Sequence, residues 1–170
     1  MTVTASLDPG LWKMGLALSV DARIVHVAVV RVERPWSFPA AMRAIRDACP
    51  MLPDAWTIEH PRVYPQAGRV ASTDDVEKLE RLAESIRSEL RPLGAKVTLV
   101  RPSAWKGQVP KKVHHRRVRR ELYEDELKLM EADFGDAELD VWDAVGIELF
   151  ALGRVGRGGV RRIAPGTEQA

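Results

Sequence analysis

One cysteine in 170 residues, Cys49, leaves no partner for an internal disulfide and no basis for a cysteine-rich metal site. It reads as a small apolar filler. No apolar run approaches the length that spans a bilayer, and the opening MTVTASLDPG has neither the basic head nor the apolar centre of a secretory signal. The expected compartment is the cytoplasm, with no membrane partner. A Walker-type phosphate loop, a Ser-His-Asp arrangement and an internal repeat are all missing, which argues against P-loop enzymes, triad hydrolases and solenoids. His114 and His115 have no further histidine at zinc-site spacing, so they read as phosphate contacts or plain surface.

What the chain does hold suits one folded unit: 45% of its residues are hydrophobic, and 170 residues are enough for a single core. The formal charge of +2 conceals a separation of signs. Residues 101–120 (RPSAWKGQVPKKVHHRRVRR) carry Arg101, Lys106, Lys111, Lys112, Arg116, Arg117, Arg119 and Arg120 and no acid. Eight bases without a counter-charge call for an anionic partner, and a nucleic-acid backbone suits them better than an ordinary solvated face. Residues 121–140 then hold nine acids against one base, Lys128. After Leu152, Arg154, Arg157, Arg161 and Arg162 lie on a glycine-rich backbone. Residues 154–170 are therefore expected to be a flexible basic arm on a domain of residues 1–153.

Val3, Ala5 and Leu7 alternate with Thr4 and Ser6, the period of a strand, and Asp8-Pro9-Gly10 ends it. Residues 11–20 and 23–33 are rich in aliphatic and β-branched side chains around Asp21-Ala22, which predicts a hairpin. A short helix is expected over 38–49, a strand over 55–59, an amphipathic helix starting at about Thr73 with Gly94 after its end, and a strand at KVTLV. The basic segment is expected to run as a loop through Pro110 and to turn helical through the 120s, and a last helix to run from about Asp140 to Gly153. The order βββαβαβ followed by helices predicts an α/β fold: a central mixed five-stranded sheet flanked by helices. Asp8 and Glu59 both fall at strand carboxyl ends, where sites form in such sheets.

The stretch ELDVWDAVGIELF adds Asp140 and Asp143, three apart and so on one face of a helix, with Ala144, Ile147 and Ala151 continuing a buried stripe. Taken alone, Asp140 equally suits a helix cap, Asp143 a dipole complement, Asp8 a turn and Glu59 a partner for Arg62. Converging on one crevice, the four carboxylates would repel one another unless cations stood between them. Oxygen ligands without cysteine select hard ions such as Mg²⁺ or Mn²⁺. Two such ions roughly 4 Å apart suit phosphodiester hydrolysis.

Four elements, LDPGLWKMGLAL, IEHPRVY, PSAWKGQVPKK and DVWDAVGIELFAL, together resemble the RuvC-type Holliday-junction resolvases of the RNase H-like superfamily, as a divergent or phage-like member. The resemblance spans residues 6–152 and implies an RNase H-like fold. It further implies a metal-dependent endonuclease that resolves four-way junctions by paired symmetric nicks in a bacterial or phage-infected cell. Asp8, Glu59, Asp140 and Asp143 would be the catalytic acids holding Mg²⁺ or Mn²⁺, two ions to a site. Lys106 matches a lysine on the DNA backbone, and the second family lysine falls at Lys111 or Lys112, with Lys112 favoured as the catalytic one. Tyr64 matches an aromatic that stacks at the open centre of the junction. Arg116, Arg117, Arg119 and Arg120 join these lysines as DNA contacts, and residues 74–91 are the candidate helix of a homodimer. Another RNase H-like nuclease, acting on hybrids, flaps or replication intermediates, is the alternative enzyme. A non-catalytic DNA-binding module is the alternative outside enzymes, and an actin-like nucleotide-binding domain fits poorly because it needs two lobes.

Overall fold

The two-residue period of the first strand decides how the layers stack. In a computed structural model describing residues 1–61 and 73–156, the strands are β1 (Val3–Asp8), β2 (Lys13–Val20), β3 (Arg23–Arg31), β4 (Ala55–Glu59) and β5 (Lys96–Val100). The helices are α1 (Phe38–Ala48), α2 (Thr73–Leu90), α3 (Pro102–Trp105), α4 (Lys111–Glu121), α5 (Glu124–Leu129) and α6 (Glu138–Ala151). The sheet order is β3-β2-β1-β4-β5, antiparallel through β1, β2 and β3 and parallel from β1 through β4 to β5. This is the mixed five-stranded α/β sheet that the sequence predicts. Asp21 and Ala22 close the hairpin at φ 47° and 66°, the left-handed pair that matches strand twist. The Asp21 carboxylate accepts the Thr2 N–H at 2.8 Å.

Val3, Ala5 and Leu7 point to one side of β1. There Ala5 and Leu7 join Met14, Leu16, Trp56 and Ile58 under α1 and α2, which contribute Ala41, Ile45, Leu82, Ala83 and Ile86. The other side is polar yet equally covered, because α6 lies across it. Ser6 Oγ donates to the Ala144 carbonyl at 2.6 Å, and the Thr4 and Ser19 hydroxyls both donate to the buried Glu148 carboxylate. Around them Ala17, Val118, Ala144, Val145 and Leu149 form a second apolar cluster.

Three local expectations are corrected. Helix α6 starts at Glu138, so Asp140 lies inside its first turn and does not cap it; Ala137 holds the cap position without a side-chain bond. The helix is buried on every side from Val141 to Leu149, whereas Ala151 is exposed, because the sheet, α3 and α4 enclose it. The basic stretch contains the short α3, with proline in its first turn, and its second helix stops at Glu121 before α5 begins.

Arg154 and Val155, assigned to the arm by their glycine-rich surroundings, are packed against the domain. Val155 is buried, and the Arg154 guanidinium meets Glu126 at 2.6 Å and also donates to the Glu121 carbonyl at the end of α4. A cation there satisfies a terminal carbonyl and complements the helix dipole. Tyr64 and the residues after Gly156 lie outside the described residues. Among the described residues, no helix is long and apolar enough to cross a membrane.

Candidate active site

Strand parity and register bring the first two acids together. β1 and β4 pair in parallel up to Leu7 opposite Ile58. Asp8 and Glu59 are the next residues on each strand, and both point away from the α1–α2 core toward α6. Asp8 is also paired with Gly15 across the antiparallel ladder. Gly15 has a steric purpose: a Cβ there would lie 1.9 Å from the Asp140 carbonyl oxygen. Only a glycine lets the first turn of α6 rest on β2, which sets Asp140 and Asp143 over the strand end that carries Asp8. The glycine at Gly146 similarly admits the rings of Trp105 and His114, at 2.7 and 2.9 Å from a would-be Cβ.

Around this crevice the side chains interlock. Trp105 is fully buried, and its Nε1–H donates to Glu59 Oε2 at 2.8 Å. His115 Nε2 lies 2.7 Å from Asp143 Oδ1, and its ring stacks on Trp142 at 6.1 Å between centroids. Lys106 Nζ stands 3.7 Å from Glu59 and 3.9 Å from Asp143, so a single ammonium bridges a β4 acid and an α6 acid. Lys111 Nζ is 2.8 Å from Asp143 Oδ2, and Lys13 Nζ is 3.6 Å from Asp140.

The electrostatics show a site crowded with negative charge. Burial, followed by repulsion from Glu59, Asp143 and Asp140, holds Asp8 well above the usual carboxylate range despite attraction from Lys106. Asp8 keeps some exposure at the mouth of a crevice of about 460 Å³, with protein crowding its remaining sides. Burial and then Asp143 also push Glu59 up, against Lys106, the Trp105 bond and Lys111. Asp143 goes the other way: burial would raise it, but the His115 bond and the two lysines outweigh that and bring it down. One acid is thus held ionised beside two that resist ionisation.

The four sequence-predicted acids therefore lie near enough for Asp8 to feel the other three, with Lys106 between Glu59 and Asp143. Of the two candidate lysines, Lys111 reaches them. Lys112, one residue further round α4, is exposed and lines a groove of about 520 Å³ with Arg116, Arg119, Glu138, Leu139 and Trp142. His115 also lines that groove, so the basic surface runs directly into the acids. Arg116, Arg119 and Arg120 are exposed on α4, and Arg117 is partly buried. Sequence reading missed His115 and Trp105 as supports of the acids. The signal available was slight: His115 is four residues beyond Lys111 and shares its helix face, and Trp105 adjoins Lys106.

The donor chemistry fits a hard divalent cation, since every carboxylate is oxygen-only and Asp8 and Glu59 resist ionisation in the absence of added positive charge. The acids are not gathered as a finished cage: no set of three acidic, histidine or cysteine side chains among the described residues is placed to hold an ion, and Lys106 and Lys111 stand among them.

An α/β domain of RNase H-like architecture with acids at the ends of β1 and β4 and on the helix above them defines the class. Within it, the chain is similar to RuvC of Thermus thermophilus in complex with a Holliday junction substrate, at TM-score 0.55 and 18% identity over 89% of this chain and 94% of that one. The structure of Thermus thermophilus RuvC matches at TM-score 0.55 and 21% identity over 89% and 94%. The fowlpox virus Holliday junction resolvase matches at TM-score 0.58 and 11% identity over 89% and 97%. At such identities the likeness establishes the RuvC-like fold. No protein-family model and no curated protein matches the chain.

Proposed function

We propose that this protein is a metal-dependent endonuclease that resolves four-way DNA junctions by paired symmetric nicks. The observation that carries the reading is the convergence of a strand-end acid, Glu59, and a helix acid, Asp143, on one ammonium, Lys106, with His115 joining Asp143 to a groove lined by Lys112, Arg116 and Arg119. The fold shared with junction resolvases of two separate sources supports it.

Asp8, Glu59, Asp140 and Asp143 would hold the ions. Mg²⁺ or Mn²⁺, when bound, would supply the Lewis acidity that activates water and neutralises charge building on the phosphate and leaving oxygens. The protein's own groups do the rest. Trp105 and His115 fix the carboxylates of Glu59 and Asp143 by one hydrogen bond each, as outer-shell donors fix metal ligands elsewhere. Lys106 and Lys111 place two ammonium groups where a phosphate would lie against the acids, and Lys111 takes the catalytic role that the sequence favoured for Lys112. Lys112, Arg116, Arg119 and Arg120 then hold the backbone beyond the cut, a contact that weakens steeply with salt. Two cuts related by symmetry need two such sites, which a twofold dimer supplies. The apolar residues of α2 are largely used by the sheet core, so the exposed side of α2 is the proposed dimer contact.

The test is to incubate the protein and Mg²⁺ with a four-way junction, a flap, a plain duplex and an RNA–DNA hybrid. Symmetric nicks in two opposed strands of the junction are expected. Equal cutting of all four substrates, or preference for the hybrid, would replace this reading with that of a different RNase H-like nuclease.

A further inference from the structure

The acids have a second flank that neither the basic helix nor the mechanism uses. The crevice of about 460 Å³ that opens onto Asp8 and Asp140 is walled on the far side by Trp12, Lys13, Arg31 and Arg34. Trp12 sits in the turn between β1 and β2, four residues beyond Asp8, and is 46% exposed although it is among the largest apolar side chains in the protein. The turn itself is fixed. The Trp12 carbonyl accepts the Val32 N–H at 3.0 Å, and a Cβ on Gly10 would lie 2.1 Å from the Lys13 carbonyl oxygen. An indole held on a rigid turn and left nearly half exposed is poor design for stability and good design for stacking.

Its cations are arranged in two ways. Lys13 and Arg31 are both anchored by Asp136, at 3.3 and 3.2 Å, and Lys13 also reaches Asp140. Arg34 instead lies over the Trp12 ring, 4.9 Å from its centroid. A backbone phosphate alone would be served by the bases. An aromatic face beside a guanidinium, within the same crevice as two candidate metal-binding acids, suits a nucleotide: its base on the indole and its phosphate on Arg34.

On the nuclease reading given above, we propose that Trp12 and Arg34 form a nucleotide subsite that holds the unpaired base next to the scissile phosphate, on the side of the acids opposite α4. A strand would then cross the site between two cationic walls, Lys106, Lys111 and Lys112 on one side and Lys13, Arg31 and Arg34 on the other. Branched DNA offers unstacked bases near its crossover at little cost, whereas an intact duplex must break stacking to supply one. Trp12 would therefore add selectivity for branched substrates and for the base beside the cut.

The test uses the full-length Asp143→Asn protein, so that DNA is bound and not consumed, and junctions carrying 2-aminopurine at single positions on either side of the nick. One position adjacent to the nick should show altered fluorescence on binding. Trp12→Ala should abolish that change and weaken binding roughly 5- to 150-fold, Trp12→Phe should restore most of both, and Arg34→Gln should weaken binding while keeping the spectral change. Trp12→Phe, which retains most of the ring's packing, and the circular dichroism spectrum of Trp12→Ala separate loss of stacking from loss of folding. Equal affinity and an identical fluorescence pattern in Trp12→Ala would overturn the subsite and leave the nuclease reading intact. If another DNA form proves to be the one cut, the same labels placed beside that cut keep the two questions separate.

Discussion

The two faces of the sheet use the same strands for opposite purposes. Beneath α1 and α2 every inward side chain of β1, β2 and β4 is apolar, and the layer is filled by Leu7, Met14, Leu16, Ile45, Ile58 and Ile86. Beneath α6 the alternate positions of the same strands include Thr4, Ser6, Asp8, Ser19 and Glu59 beside the apolar Ala17, and the helix answers with Asp143 and Glu148. The first face gains from simple removal of apolar surface from water. The second buries polar and charged groups, and Ser6, Ser19, Glu59, Asp143 and Glu148 each have a hydrogen-bond or ion-pair partner there, an arrangement that favours a defined geometry over maximal stability. The larger apolar cluster thus lies on one side of the sheet and the candidate site on the other, with β1 as the shared wall.

Mutations on each face should separate these two properties. The largest stability effect is expected from Ile45→Ala on the apolar face: a loss of about 2–5 kcal/mol in urea unfolding, with cleavage per folded molecule unchanged. Gly15→Ala is the counterpart on the other face. Its new methyl group must displace the Asp140 turn, so a loss of about 1–3 kcal/mol should come with near-complete loss of junction cleavage. Trp105→Phe retains most of the packing but removes the donor to Glu59, and should weaken divalent-ion affinity roughly 10- to 100-fold by calorimetry. A metal affinity as strong as wild type in that variant would make Trp105 a packing residue only.

The smallest expected effect concerns pH. Burial holds Glu148 above its ordinary range, even with the Ser19 and Thr4 hydroxyls donating to it. The unfolded chain therefore releases this proton at a lower pH than the folded one does, and the group's contribution to stability is lost as pH rises from the ordinary glutamate value, about 4.3, through the raised folded value. Glu148→Gln keeps an acceptor for both hydroxyls and removes the titration. Its stability relative to wild type should rise as pH is increased from about 5 to about 8, measured by urea midpoints. A relative stability that stays flat with pH would show that Glu148 is not buried as an acid.

Strands, hairpin and the mixed character of the sheet were legible because alternation in Val3–Leu7 and the Asp8-Pro9-Gly10 break are local signals that tertiary packing then reinforced, whereas the strand order emerges only from the fold. The four acids were legible for a related reason: a carboxylate at a strand end or on a mostly apolar helix is a local anomaly. Their helpers were not. Nothing near His115 in the chain marks it apart from the surrounding bases, and its bond to Asp143 exists only after α4 packs on α6. The choice between Lys111 and Lys112 depends on helical phase, which a segment with proline at position 110 and no clear apolar stripe leaves open. Arg154 was misread for the opposite reason, since its glycine-rich neighbours suggest a free arm while its actual partners, Glu121 and Glu126, are distant in sequence.

The central claim is that four carboxylates distant in the chain form one cation site. It is tested most directly by titrating Mn²⁺ into wild-type, Asp8→Asn and Asp143→Asn proteins by calorimetry, with folding checked by circular dichroism and junction DNA present in a parallel series. Saturable binding by the wild type that falls at least roughly tenfold in each variant is the expected result. Binding of equal strength in all three proteins, or none by the folded wild type even with junction DNA, would contradict it.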